Sequence, residues 1–150
     1  MAQTLVSLMV HVIFSTKNRQ PMITPDIRPE VYAYLGGTTK NLGSRCLAAG
    51  GTENHVHLLV SQSKNLALSH LMEEIKKGSS RWVKTKADSF ADFAWQGGYG
   101  AFTVGESQVE ALKHYIAGQE ERHKKLSFER ELMLLLKKYN VQYDERYLWS

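Results

Sequence analysis

The stretch that decides the fold is RCLAAGGTENHVHLLVS, residues 45–61. Two runs rich in apolar residues, 45–49 and 55–61, flank a Gly-Gly-Thr-Glu-Asn connection. Glycine and asparagine between two such runs are typical of hairpin turns. This stretch therefore predicts two antiparallel strands joined by a short loop.

The second run carries two histidines, His55 and His57, in alternation with apolar residues. Side chains two positions apart on a strand project from the same face of the sheet. The apolar alternates are Val56, Leu58 and Val60. We expect this apolar row to face a core and the two imidazoles to project together from the opposite face. There they could bind a divalent ion from one side.

Upstream of the hairpin, the sequence predicts one strand and one helix. Residues 5–15 have an apolar residue at every even position, which predicts a strand with one buried face. Thr24 followed by Pro25 resembles a helix N-cap and first turn, and Gly43 resembles a helix end. A helix is therefore predicted between them.

Downstream, apolar residues at helical spacing predict a second helix over residues 66–86, and residues 95–104 resemble a strand interrupted by glycines. Ser107 and Glu110 have the spacing of a capping box, which predicts a helix that begins there, and residues 128–139 form a last amphipathic stretch. This order is that of a ferredoxin-like α+β fold, an antiparallel sheet with helices on one face, plus an extra C-terminal helix. We expect the other face, which carries the histidines, to be open.

Length and composition limit the possible functions. A chain of 150 residues with 43% hydrophobic residues predicts one compact domain, residues 1–150. The net charge of +4 suits a polyanionic partner but is common in proteins that have none. Cys46 is the one cysteine, no secretory leader precedes the first strand, and no apolar run approaches the roughly 20 residues of a membrane span. We expect a cytoplasmic protein without a membrane segment.

A second motif, YIAGQ at residues 115–119, lies in the helix predicted after Ser107. Residues four apart share a helix face, so Gln119 can reach an ion held by the two histidines while the Tyr115 phenol lies beside it. Imidazole with amide oxygen leaves ligand positions open for phosphate and water, which suits Mg²⁺ or Mn²⁺. The two motifs together predict a metal site with a tyrosine nucleophile next to it.

These residues resemble those of the single-tyrosine HUH transposases of the smallest bacterial insertion sequences. The resemblance rests on GGTENHVHLLV at residues 50–60, WQGGYGAFTV at residues 95–104, Tyr115 with Gln119, and HVIFSTKNR at residues 11–19. It covers nearly the whole chain, with the motifs in the same order.

The resemblance implies a ferredoxin-like fold, a homodimer, and a substrate of single-stranded DNA folded into hairpins near the ends of the element. It implies that His55, His57 and Gln119 are the metal ligands and that Tyr115 is the catalytic nucleophile. Attack by the phenol on a phosphodiester would leave a 5′-phosphotyrosine and a free 3′-hydroxyl, which stores the bond energy without ATP. In relatives the tyrosine helix of one subunit can complete the site of the other, and Gly105 is a candidate hinge for such an exchange.

Several basic residues are candidates for contact with DNA phosphates, because phosphate neutralisation supplies most nucleic-acid affinity. They are Lys17, Arg19, Lys76, Lys77, Arg81 and Lys84. The alternative is that they form an ordinary solvated surface. His11 is predicted on the same face as the paired histidines, where it is either an assistant to the site or a structural residue.

Two other functions fit the same residues. A domesticated relative would recognise hairpin DNA without moving an element, and inverted-repeat hairpins beside the gene would distinguish the transposase from it. A metal-dependent phosphodiesterase would use the histidines with water as the nucleophile. That enzyme would keep most of its activity when Tyr115 is replaced by phenylalanine.

Overall fold

The computed structural model describes residues 2–150. Its strands are β1 (Met9–Ser15), β2 (Arg45–Gly51), β3 (His55–Ser61) and β4 (Gly100–Val104). They form one antiparallel sheet in the order β2-β3-β1-β4. The helices are α1 (Arg28–Asn41), α2 (Leu68–Lys84), α3 (Val109–Ala117), α4 (Gln119–Arg122) and α5 (Phe128–Lys138). This is the ferredoxin-like order that the sequence predicts, and the α+β fold class is confirmed.

The main core lies between one face of the sheet and the helices α1 and α2. The alternating apolar residues of β1 and β3 face this core, as predicted. Those with no exposed surface are Val12, Phe14, Val56, Leu58 and Val60. Each buried side chain of this size contributes about 1.5–3 kcal/mol to folding, so this layer fixes which face the remaining side chains occupy.

The second face of the sheet is covered, and the expectation that it is open is wrong. Ile13 of β1 packs against Phe128 and Leu132 of α5. Leu59 of β3 packs against Ile116 of α3. Because apolar residues stand between the histidines on this face, it gains stability from being shielded from water. The histidines therefore lie beneath helices rather than on a bare surface.

The first helix begins later than its sequence signals indicate. The Thr24 carbonyl accepts hydrogen bonds from the backbone nitrogens of Ile27 and Arg28, which forms a turn before α1 starts at Arg28. The proline in the first helical turn is Pro29 rather than Pro25. The predicted end at Gly43 is correct, since this glycine has φ +88°, the left-handed conformation that closes many helices.

The predictions for the first and the last strand of the chain are both too long. β1 begins at Met9, and β4 begins at Gly100. Trp95 instead forms an isolated bridge with Thr16. Gly97 and Gly98 precede β4, and the strand begins late because glycine loses more backbone entropy in a strand than other residues.

The helix predicted to carry both Tyr115 and Gln119 is interrupted. A 3-10 turn over Glu106–Gln108 precedes α3, and Ser107 makes no capping hydrogen bond with its side chain. α3 ends before Gly118, so Tyr115 and Gln119 lie on two successive helices, α3 and α4, rather than on one. Their spacing is preserved because the Gly118 nitrogen donates to the His114 carbonyl oxygen, which continues the helical turn.

α2 is amphipathic. It buries Leu71, Ile75 and Val83 against the main core, and its other side is polar and basic. Within residues 2–150, no helix has both the length and the apolar character that crossing a bilayer requires.

Candidate active site

The two predicted imidazoles lie on β3, on the second face of the sheet, and both are fully buried. His57 pairs in register with Ile13, and His11 of β1 lies on the same face. Nε2 of His11 is 2.7 Å from Nδ1 of His57, and the two rings stack with centroids 5.0 Å apart. His11 therefore fixes the orientation of the His57 ring and leaves Nε2 of His57 directed into the site.

The hairpin loop orients His55 in the same way. Nδ1 of His55 lies 2.9 Å from Oδ1 of Asn54 and 3.0 Å from Oγ1 of Thr52. These contacts turn Nε2 of His55 towards Gln119, whose Oε1 is 3.0 Å away. The loop that the sequence predicts as a simple connection thus also positions one of the two imidazoles.

Tyr115 is carried to the histidines by the direct packing of α3 on β2. A Cβ atom added at Gly50 would lie 2.4 Å from the backbone oxygen of Ile116, so only glycine permits this close approach. The half-buried ring of Tyr115 has its centroid 5.7 Å from that of His57 and 6.1 Å from that of His11. All of these side chains belong to one chain.

Two further residues, His123 and Glu131, complete a cluster that the sequence reasoning missed. Oε1 of Glu131 lies 3.0 Å from Nε2 of His57, 3.0 Å from Nε2 of His123 and 3.5 Å from Nε2 of His55. The four residues offer ligand atoms that all lie within 4.8 Å of one another. The cluster could hold a metal ion.

The second carboxylate oxygen of Glu131 faces the other two motif residues. Oε2 accepts a hydrogen bond from the Gln119 amide nitrogen at 3.0 Å and another from the Tyr115 hydroxyl. Glu131 thus contacts the predicted nucleophile with one oxygen and the imidazoles with the other. The predicted site residues therefore meet around a carboxylate that the sequence did not predict.

The sequence holds a signal for each missed residue. His123 follows Gln119 by four positions, just as Gln119 follows Tyr115, so the three can share one side of a helical segment. Glu131 stands between Phe128 and Leu132 on the apolar face of α5. An acidic residue on a buried helix face is uncommon unless it is paired, and that mismatch indicates a role for it.

The burial of these groups shifts their protonation. Burial lowers the pKa of His57 to about 4, and burial together with the neighbouring His57 lowers the pKa of His11 to about 3. Burial would raise the pKa of Glu131, but hydrogen bonds from His123, His55 and His57 outweigh it and hold that pKa far below its usual range. At neutral pH these shifts favour a carboxylate at Glu131 and neutral rings at His11 and His57.

The pKa of the Tyr115 phenol is shifted in the opposite direction. Burial, with the hydrogen bond to Glu131, raises the pKa of Tyr115 above its usual value. The guanidinium of Arg122 lies 4.2 Å from the centroid of the tyrosine ring and opposes this shift. The hydroxyl is therefore held protonated by its surroundings.

A cavity of about 440 Å³ opens beside the phenol. His11 and Tyr115 line it, together with Leu135, Lys138 and Tyr139 of the C-terminal segment. The phenol therefore borders open space as well as the buried cluster.

The predicted DNA-contact residues fall into two groups. Lys17, Lys77, Arg81 and Lys84 are exposed. The other two are engaged within the protein. Lys76 donates to the Gly98 carbonyl oxygen at 2.8 Å, and burial lowers its pKa to about 8. Arg19 lies over the ring of Trp149, 5.2 Å from its centroid.

The family model described as "Transposase IS200 like" matches residues 4–119. The chain belongs to this family. Membership confirms the resemblance seen in the sequence and places the protein among transposases, which are DNA-processing enzymes. The match ends at Gln119, so His123 and Glu131 lie beyond the matched residues.

Two solved structures share the fold of this IS200-like chain. A candidate transposase from Deinococcus radiodurans R1 is 20% identical, with 79% of this chain and 95% of that chain aligned at a TM-score of 0.63. A REP-associated tyrosine transposase bound to a REP hairpin is 13% identical, with 82% and 73% of the two chains aligned at a TM-score of 0.61. At these identities the likeness shows the fold alone. The search among curated proteins gives no significant match.

Proposed function

We propose that this protein is a metal-dependent transposase that cuts and rejoins single-stranded DNA at hairpin-marked ends, with Tyr115 as the nucleophile. One observation carries the proposal: the phenol of Tyr115 and the side chains of His55, His57 and Gln119 converge around one carboxylate within a single chain. Buried imidazoles beside a tyrosine in a transposase fold suit transfer of a DNA phosphoryl group.

In this reaction the Tyr115 oxygen attacks the phosphorus of a phosphodiester and loses its proton. The bond to the 3′ oxygen breaks, and that oxygen takes up a proton and leaves as a free 3′-hydroxyl. The 5′ end stays attached as a phosphotyrosine. Attack by another 3′-hydroxyl reverses the step and rejoins DNA, so no ATP is consumed.

His55 and His57, with Gln119, would hold the metal ion. The donor set fits this role, since buried Nε2 of His55 and Oε1 of Gln119 face each other at 3.0 Å and lie next to the carboxylate of Glu131. A bound Mg²⁺ or Mn²⁺ would polarise the scissile phosphate and stabilise the charge that develops on it.

Glu131 orients the phenol rather than taking its proton. The carboxylate accepts the hydrogen bond of the Tyr115 hydroxyl, but its histidine contacts hold its pKa far below the usual range. A carboxylate of such low basicity is a poor proton acceptor. An ordinary phenol already costs about 4 kcal/mol to ionise at pH 7, and the raised pKa of Tyr115 adds to that demand.

The DNA strand would reach the phenol through the cavity beside it, with Lys138 at the wall of the cavity to meet a phosphate. The exposed basic residues of α2 would bind the hairpin backbone, and the structural neighbour bound to a REP hairpin supports this class of ligand. We further propose that residues 1–150 act as one catalytic domain and that two copies form a homodimer, which light scattering would detect.

The test is to incubate the protein with Mn²⁺ or Mg²⁺ and single strands from the flanks of its own gene. We expect a covalent adduct that maps to Tyr115, and we expect Tyr115→Phe to abolish it while hairpin binding persists. Tyr147→Phe, in an exposed position of the C-terminal tail, is the matched control and should form the adduct normally.

Each other outcome indicates a different function. Hairpin binding without any adduct would indicate a domesticated binding protein. Cleavage that survives in Tyr115→Phe would indicate a phosphodiesterase that uses water as its nucleophile.

A further inference from the structure

The carboxylate of Glu131 is buried without a lysine or arginine partner. The residue is 1% exposed, and among residues 2–150 its only salt-bridge partners are histidines. Withdrawing an uncompensated carboxylate from water costs several kcal/mol. A positive charge must therefore lie at the cluster, supplied either by a proton on an imidazole or by a metal ion.

The geometry of the cluster favours the metal ion. Oε1 of Glu131 lies 3.0 Å from Nε2 of His57, 3.0 Å from Nε2 of His123 and 3.5 Å from Nε2 of His55, so the ligand atoms of all four residues converge on one point. A divalent ion at that point would neutralise the carboxylate and be bound by three imidazoles.

We propose that His123 and Glu131 complete the metal site of this protein beside His55 and His57, and that this donor set selects a first-row transition-metal ion over Mg²⁺. Three imidazoles and one carboxylate are within reach of a single ion. Imidazole nitrogen is a good ligand for Mn²⁺, Co²⁺ and Zn²⁺, whereas Mg²⁺ requires oxygen ligands. The inference narrows the choice of ion left open above.

The added ligands come from a part of the chain outside the family match, which ends at Gln119. Glu131 stands on α5, which is fixed over the sheet by Phe128 and Leu132 on the same helix. Through its second oxygen Glu131 also holds the Tyr115 hydroxyl, so the helix that supplies a ligand also positions the phenol. This positioning role rests on the proposed function, whereas the metal site does not.

The test is a titration of the full chain with Co²⁺, followed by visible absorption. We expect one Co²⁺ per chain, with visible absorption bands that differ from those of aqueous Co²⁺ and that a large excess of Mg²⁺ does not remove. Glu131→Gln and His123→Asn should each lower Co²⁺ affinity by more than the roughly 10- to 100-fold typical of residues that only support a ligand. Both should also alter the spectrum.

Two matched controls should bind Co²⁺ as the unaltered protein does. Glu121→Gln removes an exposed carboxylate near His123, and His114→Asn removes an imidazole on α3 that lies outside the cluster. If Glu131→Gln fails to fold, His123→Asn alone decides, because that side chain lies at the edge of the cluster with 10% exposure.

The proposal is overturned if either folded variant binds Co²⁺ with unaltered affinity and spectrum, if Mg²⁺ displaces Co²⁺ readily, or if no ion binds and the cluster holds only protons. These outcomes are separate from the failure of the proposed function. If the protein forms the adduct at Tyr115 but Glu131→Gln leaves its metal affinity unchanged, only the inference is refuted. Tight Co²⁺ binding through Glu131 without any DNA adduct would refute only the function.

Discussion

Replacing Gly50 with alanine should slow DNA cleavage strongly without direct contact with any reacting group. The new Cβ would lie 2.4 Å from the Ile116 backbone oxygen and 2.9 Å from Ile116 Cγ2. Ordinary contacts begin near 3.4 Å, so α3 would have to retreat from β2 by about 1 Å. Tyr115 precedes Ile116, and its hydroxyl would move away from the imidazoles with the helix.

A misplacement of 1 Å in a reacting group costs on the order of 100-fold in rate. Overpacking of this kind also destabilises a protein by about 1–3 kcal/mol, so the free energy of unfolding should fall by that amount. We expect Gly50→Ala to form the covalent adduct about 100 times more slowly under single-turnover conditions. Hairpin affinity should change little, because the basic face of α2 lies on the other side of the sheet from α3.

The matched control is Gly37→Ala, at a position of α1 where an added Cβ meets no atom within 4 Å. It should cleave at the normal rate and be slightly more stable, since alanine favours helix over glycine by about 1 kcal/mol. A folded Gly50→Ala protein that cleaves as fast as the Gly37→Ala control would refute the claim that the packing of α3 on β2 sets the position of the nucleophile.

Two further predictions concern the metal and the DNA. His57→Ala should abolish adduct formation, because the ring lies at the metal cluster. Circular dichroism should show that the fold is retained, because the main core lies on the other face of the sheet. Cleavage by this variant would show that His57 does not belong to the site. Replacing Lys77, Arg81 and Lys84 by glutamine should weaken hairpin binding and lower the slope of log affinity against log salt by about 0.7 for each phosphate that the protein no longer neutralises. These exposed residues are spaced along one side of α2, and an unchanged slope would mean that other residues bind the phosphates.

The parts of the site that the sequence predicts are those that depend on local spacing along the chain. The alternation around His55 and His57 is a local property of one strand, and it fixes their shared face as soon as the strand forms. The four-residue interval between Tyr115 and Gln119 is also local, and it survives even though Gly118 separates their helices. Periodicity therefore predicts that His55 and His57 share a face and that Gln119 lies one helical turn beyond Tyr115, and the order of the predicted elements gives the fold class.

Periodicity does not predict what covers the histidines. α5 is amphipathic, but nothing in its own pattern says whether it packs on this face of the sheet, on another surface or on a second chain. Its position is decided by Ile13 and Phe102, which come from two different strands and form one apolar surface only in the assembled sheet. The expectation of an open face was wrong for this reason.

The sequence by itself thus determined the sheet, its two faces and the pairing of His55 with His57, because each depends on neighbours a few residues apart. Only the tertiary structure decided that Glu131, 74 residues beyond His57, lies at the centre of the site. That contact follows from the burial of an apolar helix face against residues from distant strands. No spacing between neighbouring residues predicts this contact, because the free energy that holds α5 in place comes from the whole apolar surface that the helix covers.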